Sequence, residues 1–86
     1  MKTIGMIGGM SWESTTSYYQ ILNETVKERL GGFHSAKCLL YSVDFAEVEE
    51  LQMADRWDDA AGLMVDAACR LERGGADFII ICTNTM

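Results

Sequence analysis

Apolar positions along the chain keep two alternating rhythms, one of continuous short runs and one of helical stripes. Ile4-Gly5-Met6-Ile7 is a short, partly β-branched run cut off by Gly8-Gly9, and it predicts a buried strand over Lys2 to Ile7. Tyr18, Ile21, Leu22, Val26 and Leu30 then recur along one helical face. Ser11 stands where a cap belongs, Glu13 lies in the positive first turn, and Gly31-Gly32 closes the helix. Lys37 to Val43 is apolar on both faces, as a strand covered on both sides should be. Asp44 and Glu47 have capping-box spacing and predict a helix from Phe45 to about Leu51. In the longer helix that follows, Trp57, Ala60, Ala61, Met64, Ala67, Ala68 and Leu71 share a stripe, with Asp58, Asp59, Asp66, Arg70 and Arg73 mostly outside it. Gly74-Gly75 ends that helix, and Phe78 to Cys82 is a third buried strand.

The order β-α-β-α-α-β predicts an α/β fold, a three-layer sandwich with a parallel sheet and right-handed crossovers. With 86 residues, 49% of them apolar and 23% charged, the chain has the composition of one small globular domain spanning 1–86. Thr83-Asn84-Thr85 looks like the loop and cap of another helix, so the chain is expected to be the N-terminal portion of a longer protein. Its second domain would then lie outside these residues. Seven basic against thirteen acidic residues give a net charge of −6, which repels a phosphate backbone, and no nucleic-acid partner is expected. No apolar run approaches the ~18 residues of a membrane span, and no secretory leader is recognisable, so no membrane partner and a cytoplasmic location are expected. The three cysteines, Cys38, Cys69 and Cys82, include no C-x-x-C pair and have one histidine beside them, which fits reduced thiols and no metal site.

In parallel α/β sheets ligands bind outside the carboxyl ends of the strands. Three segments lie there: Gly8-Gly9-Met10-Ser11, Ser42-Val43-Asp44 and Cys82-Thr83-Asn84-Thr85. His34 precedes the second strand and belongs to the opposite edge, where an exposed loop histidine is the better account. The first segment lacks the G-x-G-x-x-G fingerprint and is no P-loop. Its helix N-terminus, with the Ser11, Ser14 and Thr15 hydroxyls nearby, suits a small anion; equally, the glycines only turn the chain and Ser11 only caps. Cys82 is either a proton-transfer thiol or buried filler at the end of an Ile-rich strand, while Cys38 and Cys69 read as core. Glu47, Glu49, Glu50, Asp55, Asp58 and Asp59 read as a solvated helix face rather than a metal cluster.

Taken in order, Ile4-Gly5-Met6-Ile7-Gly8-Gly9-Met10-Ser11-Trp12-Glu13-Ser14-Thr15, Ser42-Val43-Asp44-Phe45 and Cys82-Thr83-Asn84-Thr85-Met86 closely resemble the start of the aspartate/glutamate racemase family. The resemblance implies two similar α/β domains facing each other across an active site, of which this chain supplies the first. It also implies an amino-acid racemase or epimerase working without pyridoxal phosphate or metal, so no cofactor is expected. In that chemistry two thiols face opposite sides of the substrate Cα, one removing the proton and the other returning it. The implied substrate is a small amino acid or dicarboxylate, and the protein is expected to be a homo-oligomer. By the same resemblance Met10 and Ser11 line the carboxylate pocket, Thr83, Asn84 and Thr85 contact the substrate, and Gln52 joins them.

The sequence departs from the family pattern at one point. The first thiol normally occurs as Cys-Asn-Thr, and here the aligned triplet is Thr83-Asn84-Thr85 with Cys82 one place earlier. Strand alternation turns Cys82 and Thr83 to opposite sides, so Cys82 does not simply replace the missing thiol, although it stays the rival candidate. A threonine hydroxyl is too weak an acid to serve as a free base. With a second cysteine expected in the other half, this leaves an asymmetric racemase or a relative doing a one-base reaction. A decarboxylase or cis-trans isomerase of a small diacid on the same scaffold is the alternative, as is a non-catalytic fragment associating through its sheet edge.

Overall fold

The computed structural model describes residues 1–83 and runs β1 (Ile4–Gly8), α1 (Trp12–Leu30), β2 (Cys38–Ser42), α2 (Phe45–Met53), α3 (Trp57–Arg73) and β3 (Phe78–Ile81). The three strands form one parallel sheet in the order β2-β1-β3, with Ile7 level with both Tyr41 and Ile81. This is the α/β arrangement that the alternation of apolar runs and stripes predicts.

Right-handed crossovers put α1 on one face of the sheet and α2 with α3 on the other, because β1 leads outward to β2 and β2 leads back past β1 to β3. Side chains agree with that geometry. Ile7 joins Met10, Ala67 and Leu71 in the core beneath α3, flanked by Leu39, Tyr41, Val43, Met64, Ala68 and Ala76. On the opposite face Thr15 of α1 sits directly over Gly8, where any side chain would collide with it. The start of β1 is tied to that of β3 by a reciprocal pair: Thr3 N–H donates to the Asp77 carboxylate (2.6 Å) and Asp77 N–H to the Thr3 carbonyl (2.8 Å).

The helix boundaries follow the expected punctuation. Gly31 closes α1 with φ of 72°, and α3 stops at Gly74. Asp44 caps α2 by accepting from Ala46 N–H (3.1 Å), while Glu47 N–H goes to the Asp44 carbonyl rather than its carboxylate. The link between α2 and α3 turns at Asp55, whose φ is +59° and whose carboxylate accepts from the Trp57 indole N–H (2.7 Å).

Several expectations about burial are corrected. Cys69 is exposed, not core, because it lies on the side of α3 away from Ala67 and Leu71. Trp57 is 56% exposed, its ring anchored by Asp55 instead of the core. On α1 the half-buried line is Tyr18, Leu22 and Val26, in file with buried Thr15, whereas Ile21 and Leu30 lie roughly a quarter turn to either side and are exposed. The third strand is also less buried than its composition suggests. Phe78, Ile79 and Ile81 keep a third to a half of their surface, since β3 is an edge of the sheet as described and only β1 is flanked on both sides.

Candidate active site

Three chain segments meet at the carboxyl edge of the sheet, and β1 ties them together. The Gly8 carbonyl accepts from Val43 N–H at 2.8 Å, and the Ile7 carbonyl accepts from Cys82 N–H at 2.8 Å. The exits of β2 and β3 are thus hung on the last two carbonyls of the central strand. Asn84 and Thr85, expected at this edge, lie outside the described residues.

Gly9 makes the approach possible. Its φ of +93° belongs to the region that side chains avoid, and a Cβ there would overlap the Val43 carbonyl and stand 2.7 Å from Ser42 Oγ and Val43 N. Beyond it Met10 is 3% exposed, its side chain packed in the core, so only its backbone remains for a ligand. Ser11 sits at the N-cap of α1 with extended backbone angles, but its side chain caps no helical N–H. Its hydroxyl donates instead to the Glu13 carboxylate and accepts from Ser14 Oγ, both at 3.3 Å. The Met10 backbone and the first turn of α1 form the donor-rich part of the edge, since the Ser11 hydroxyl proton is turned to Glu13.

Thr15 behaves differently from the sequence reading, which grouped its hydroxyl with those available to an anion. Oγ1 accepts from Gly9 N–H (3.0 Å) and donates to the Ser11 carbonyl (3.3 Å), so both its hydrogen-bonding roles are taken up inside the protein. Among the described residues it is the only buried polar side chain, 6% exposed. The sequence shows a hydroxyl one helical turn past Gly8-Gly9, but whether it holds that turn or faces a ligand depends on the backbone angle at Gly9.

Cys82 is completely buried, and desolvation pushes its thiol above the ordinary thiol range. At neutral pH it is a protonated, packed side chain. Thr83 follows half-buried at the mouth of the edge. Gln52 lies in the last turn of α2, roughly 12 Å along the helix axis from the β2 exit. His34 is exposed in the loop before β2, at the far edge, as expected. The carboxylates of Glu47, Glu49, Glu50, Asp55, Asp58 and Asp59 are all exposed, and no three metal-binding side chains converge among the described residues.

A glycine turn, a helix N-terminus and a Cys-Thr strand exit thus meet at the carboxyl edge of a parallel sheet, the place where α/β domains hold small ligands. Residues 7–86 match the sequence profile of the Asp/Glu/hydantoin racemases. The chain belongs to this family. Its fold superposes with a TM-score of 0.97 and 57% identity on a Yersinia pestis protein assigned to the Asp/Glu racemases, covering 100% of this chain and 37% of that one. An aspartate racemase homologue from Pyrococcus horikoshii gives a TM-score of 0.88 at 35% identity, covering 99% of this chain and again 37% of that one. The chain therefore spans little more than a third of the length of these relatives. Among its described residues no helix is long and apolar enough to cross a membrane.

Proposed function

We propose that this chain is the N-terminal part of a cofactor-independent amino-acid racemase of the aspartate/glutamate type. The observation carrying the reading is the meeting of Met10-Ser11, Val43-Asp44 and Cys82-Thr83 at one sheet edge, in the family's order, with the α1 N-terminus directed there. An α-amino Cα–H is a very weak acid, so the carboxylate must be held by donors that strengthen as enediolate-like charge develops. Met10 backbone, Ser11 and the first-turn N–H groups of α1 supply that hold. Thr83 stands where the family's first thiol is expected and hydrogen-bonds the substrate or relays a proton through water, with Asn84 and Thr85 completing the contact. The acid/base thiol for the other face comes from the rest of the protein. Complete burial of Cys82 beside half-buried Thr83 supports Thr83, not Cys82, as the residue facing substrate.

The substrate is a small α-amino acid or dicarboxylate. Incubating the full-length protein with each proteinogenic amino acid in heavy water tests the reading. Deuterium should enter at Cα with inversion of configuration in at least one of them. Decarboxylation or double-bond isomerisation of a diacid, with no Cα exchange, would move the protein to another reaction on this scaffold.

A further inference from the structure

The loop from Gly8 to Ser11 is held at three points. Val43 N–H reaches the Gly8 carbonyl (2.8 Å), Gly9 N–H reaches Thr15 Oγ1 (3.0 Å), and the Ser11 carbonyl receives both Thr15 N–H (3.1 Å) and the Thr15 hydroxyl (3.3 Å). The hydroxyl has one proton. Because it accepts from Gly9, that proton is committed to Ser11, and the orientation of the group is fixed. Gly9, at φ +93°, has no side chain of its own to define the turn. Without the hydroxyl a buried Gly9 N–H is left unpaired, and the natural relief is rotation of the Gly8–Gly9 peptide, which pulls the Gly8 carbonyl off Val43 N–H and turns the Met10 and Ser11 donors that follow.

We infer that Thr15 is a positioning residue: its hydroxyl, itself out of reach of substrate, sets the peptide planes of Gly9 to Ser11 so that their donors meet the carboxylate as charge builds on it. The inference rests on the racemase reading above. Its methyl group packs on Gly8, so shape and hydrogen bonding can be separated by substitution. Thr15→Val keeps the shape and removes the hydroxyl; Thr15→Ser keeps the hydroxyl and removes the methyl.

The test is kcat and KM for racemisation by the full-length protein and these two variants, on the amino acid that shows Cα exchange. Thr15→Val should lower kcat by about 10- to 100-fold with KM changed much less, the size expected of donors displaced by a fraction of an ångström to 1 Å. Thr15→Ser should stay within about threefold of the parent. A purely structural threonine gives a different pattern, with kcat preserved in whatever fraction of Thr15→Val remains folded. Unchanged kcat in folded Thr15→Val overturns the inference. So does a tenfold loss in Thr15→Ser, which decides the matter even if Thr15→Val does not fold. Absence of Cα exchange in the parent overturns the racemase reading and this inference with it, whereas exchange in the parent with unaffected variants overturns the inference alone.

Discussion

Substituting Gly9 by alanine should be far more damaging than substituting another glycine that also has positive φ. Gly75 has φ of +104° with nothing within 4 Å of its missing Cβ, so Gly75→Ala meets only the backbone penalty, about 1–2 kcal/mol. Gly9→Ala meets the same penalty and a collision with Val43 and Ser42 that cannot be relieved by rotating a side chain, because the blocking atoms include backbone. Relief requires parting the β1 and β2 exits, which forfeits the Val43–Gly8 hydrogen bond, about 1 kcal/mol, and leaves the buried Gly9 N–H without Thr15, about 1–3 kcal/mol. The sum, about 3–6 kcal/mol, is comparable with the whole stability of a domain this size. Gly62→Ala is the opposite control: Gly62 lies inside α3 with open space around it, and alanine should stabilise by about 0.8–1 kcal/mol. Urea titrations of the three variants and the parent, followed by circular dichroism, should order them Gly62→Ala, parent, Gly75→Ala, Gly9→Ala, the last without a cooperative transition. A Gly9→Ala midpoint matching that of Gly75→Ala would refute the argument, since the contact with Val43 would then cost nothing.

Cys82 should shape the alkaline limb of stability. Burial raises its folded-state pKa above the unfolded thiol's, so the folded protein holds the proton more tightly; stability is complete below the unfolded pKa of about 8.5 and falls as pH rises toward the folded value. Cys82→Ala should flatten that fall in urea titrations between pH 8 and 10, after a loss of about 1 kcal/mol of packing at neutral pH. Iodoacetamide should label exposed Cys69 first and half-buried Cys38 more slowly, leaving Cys82 unmodified until the chain unfolds, as mass spectrometry of timed digests would reveal. Asp55→Asn should be nearly neutral, because asparagine tolerates φ of +59° and still accepts from Trp57; Asp55→Ala should cost about 1–2 kcal/mol by losing both, read from thermal melts. In the full-length protein, Thr83→Cys should restore a second acid/base group and speed the slower direction of racemisation. Abolition of turnover by Cys82→Ala in a folded protein, with no effect of Thr83→Cys, would instead make Cys82 the reacting group.

Strands and helices were legible wherever one physical signal dominated. β1 and α3 are the clear cases: a β-branched run stopped by paired glycines, and a stripe of Ala60, Ala67 and Leu71 with charges opposite. Burial was legible only where local pattern and sheet position agree. Ile79 and Ile81 have core composition, yet their exposure depends on the place of β3 in the strand order, which periodicity does not contain. Cys69 was misjudged by residue type when its angular place on α3 already put it outside. At the site, the three strand exits were readable because parallel sheets place ligands there, but the engagement of Thr15 was not. Whether a hydroxyl serves a ligand or the backbone depends on a positive φ at Gly9 and a contact six residues away.

The reciprocal pair between Thr3 and Asp77 joins residues 74 positions apart, and β1 needs both its neighbours to complete its hydrogen bonds. During synthesis at about 5–20 residues per second, roughly 4–15 s separate the emergence of β1 from that of β3. Throughout that interval the central strand has one side open, and a parallel pairing of such long sequence separation is slow to form even once the partner exists. Of the three described strands the first made is therefore among the last to be fully paired, and β1 is the segment that holdase chaperones should meet on the nascent chain.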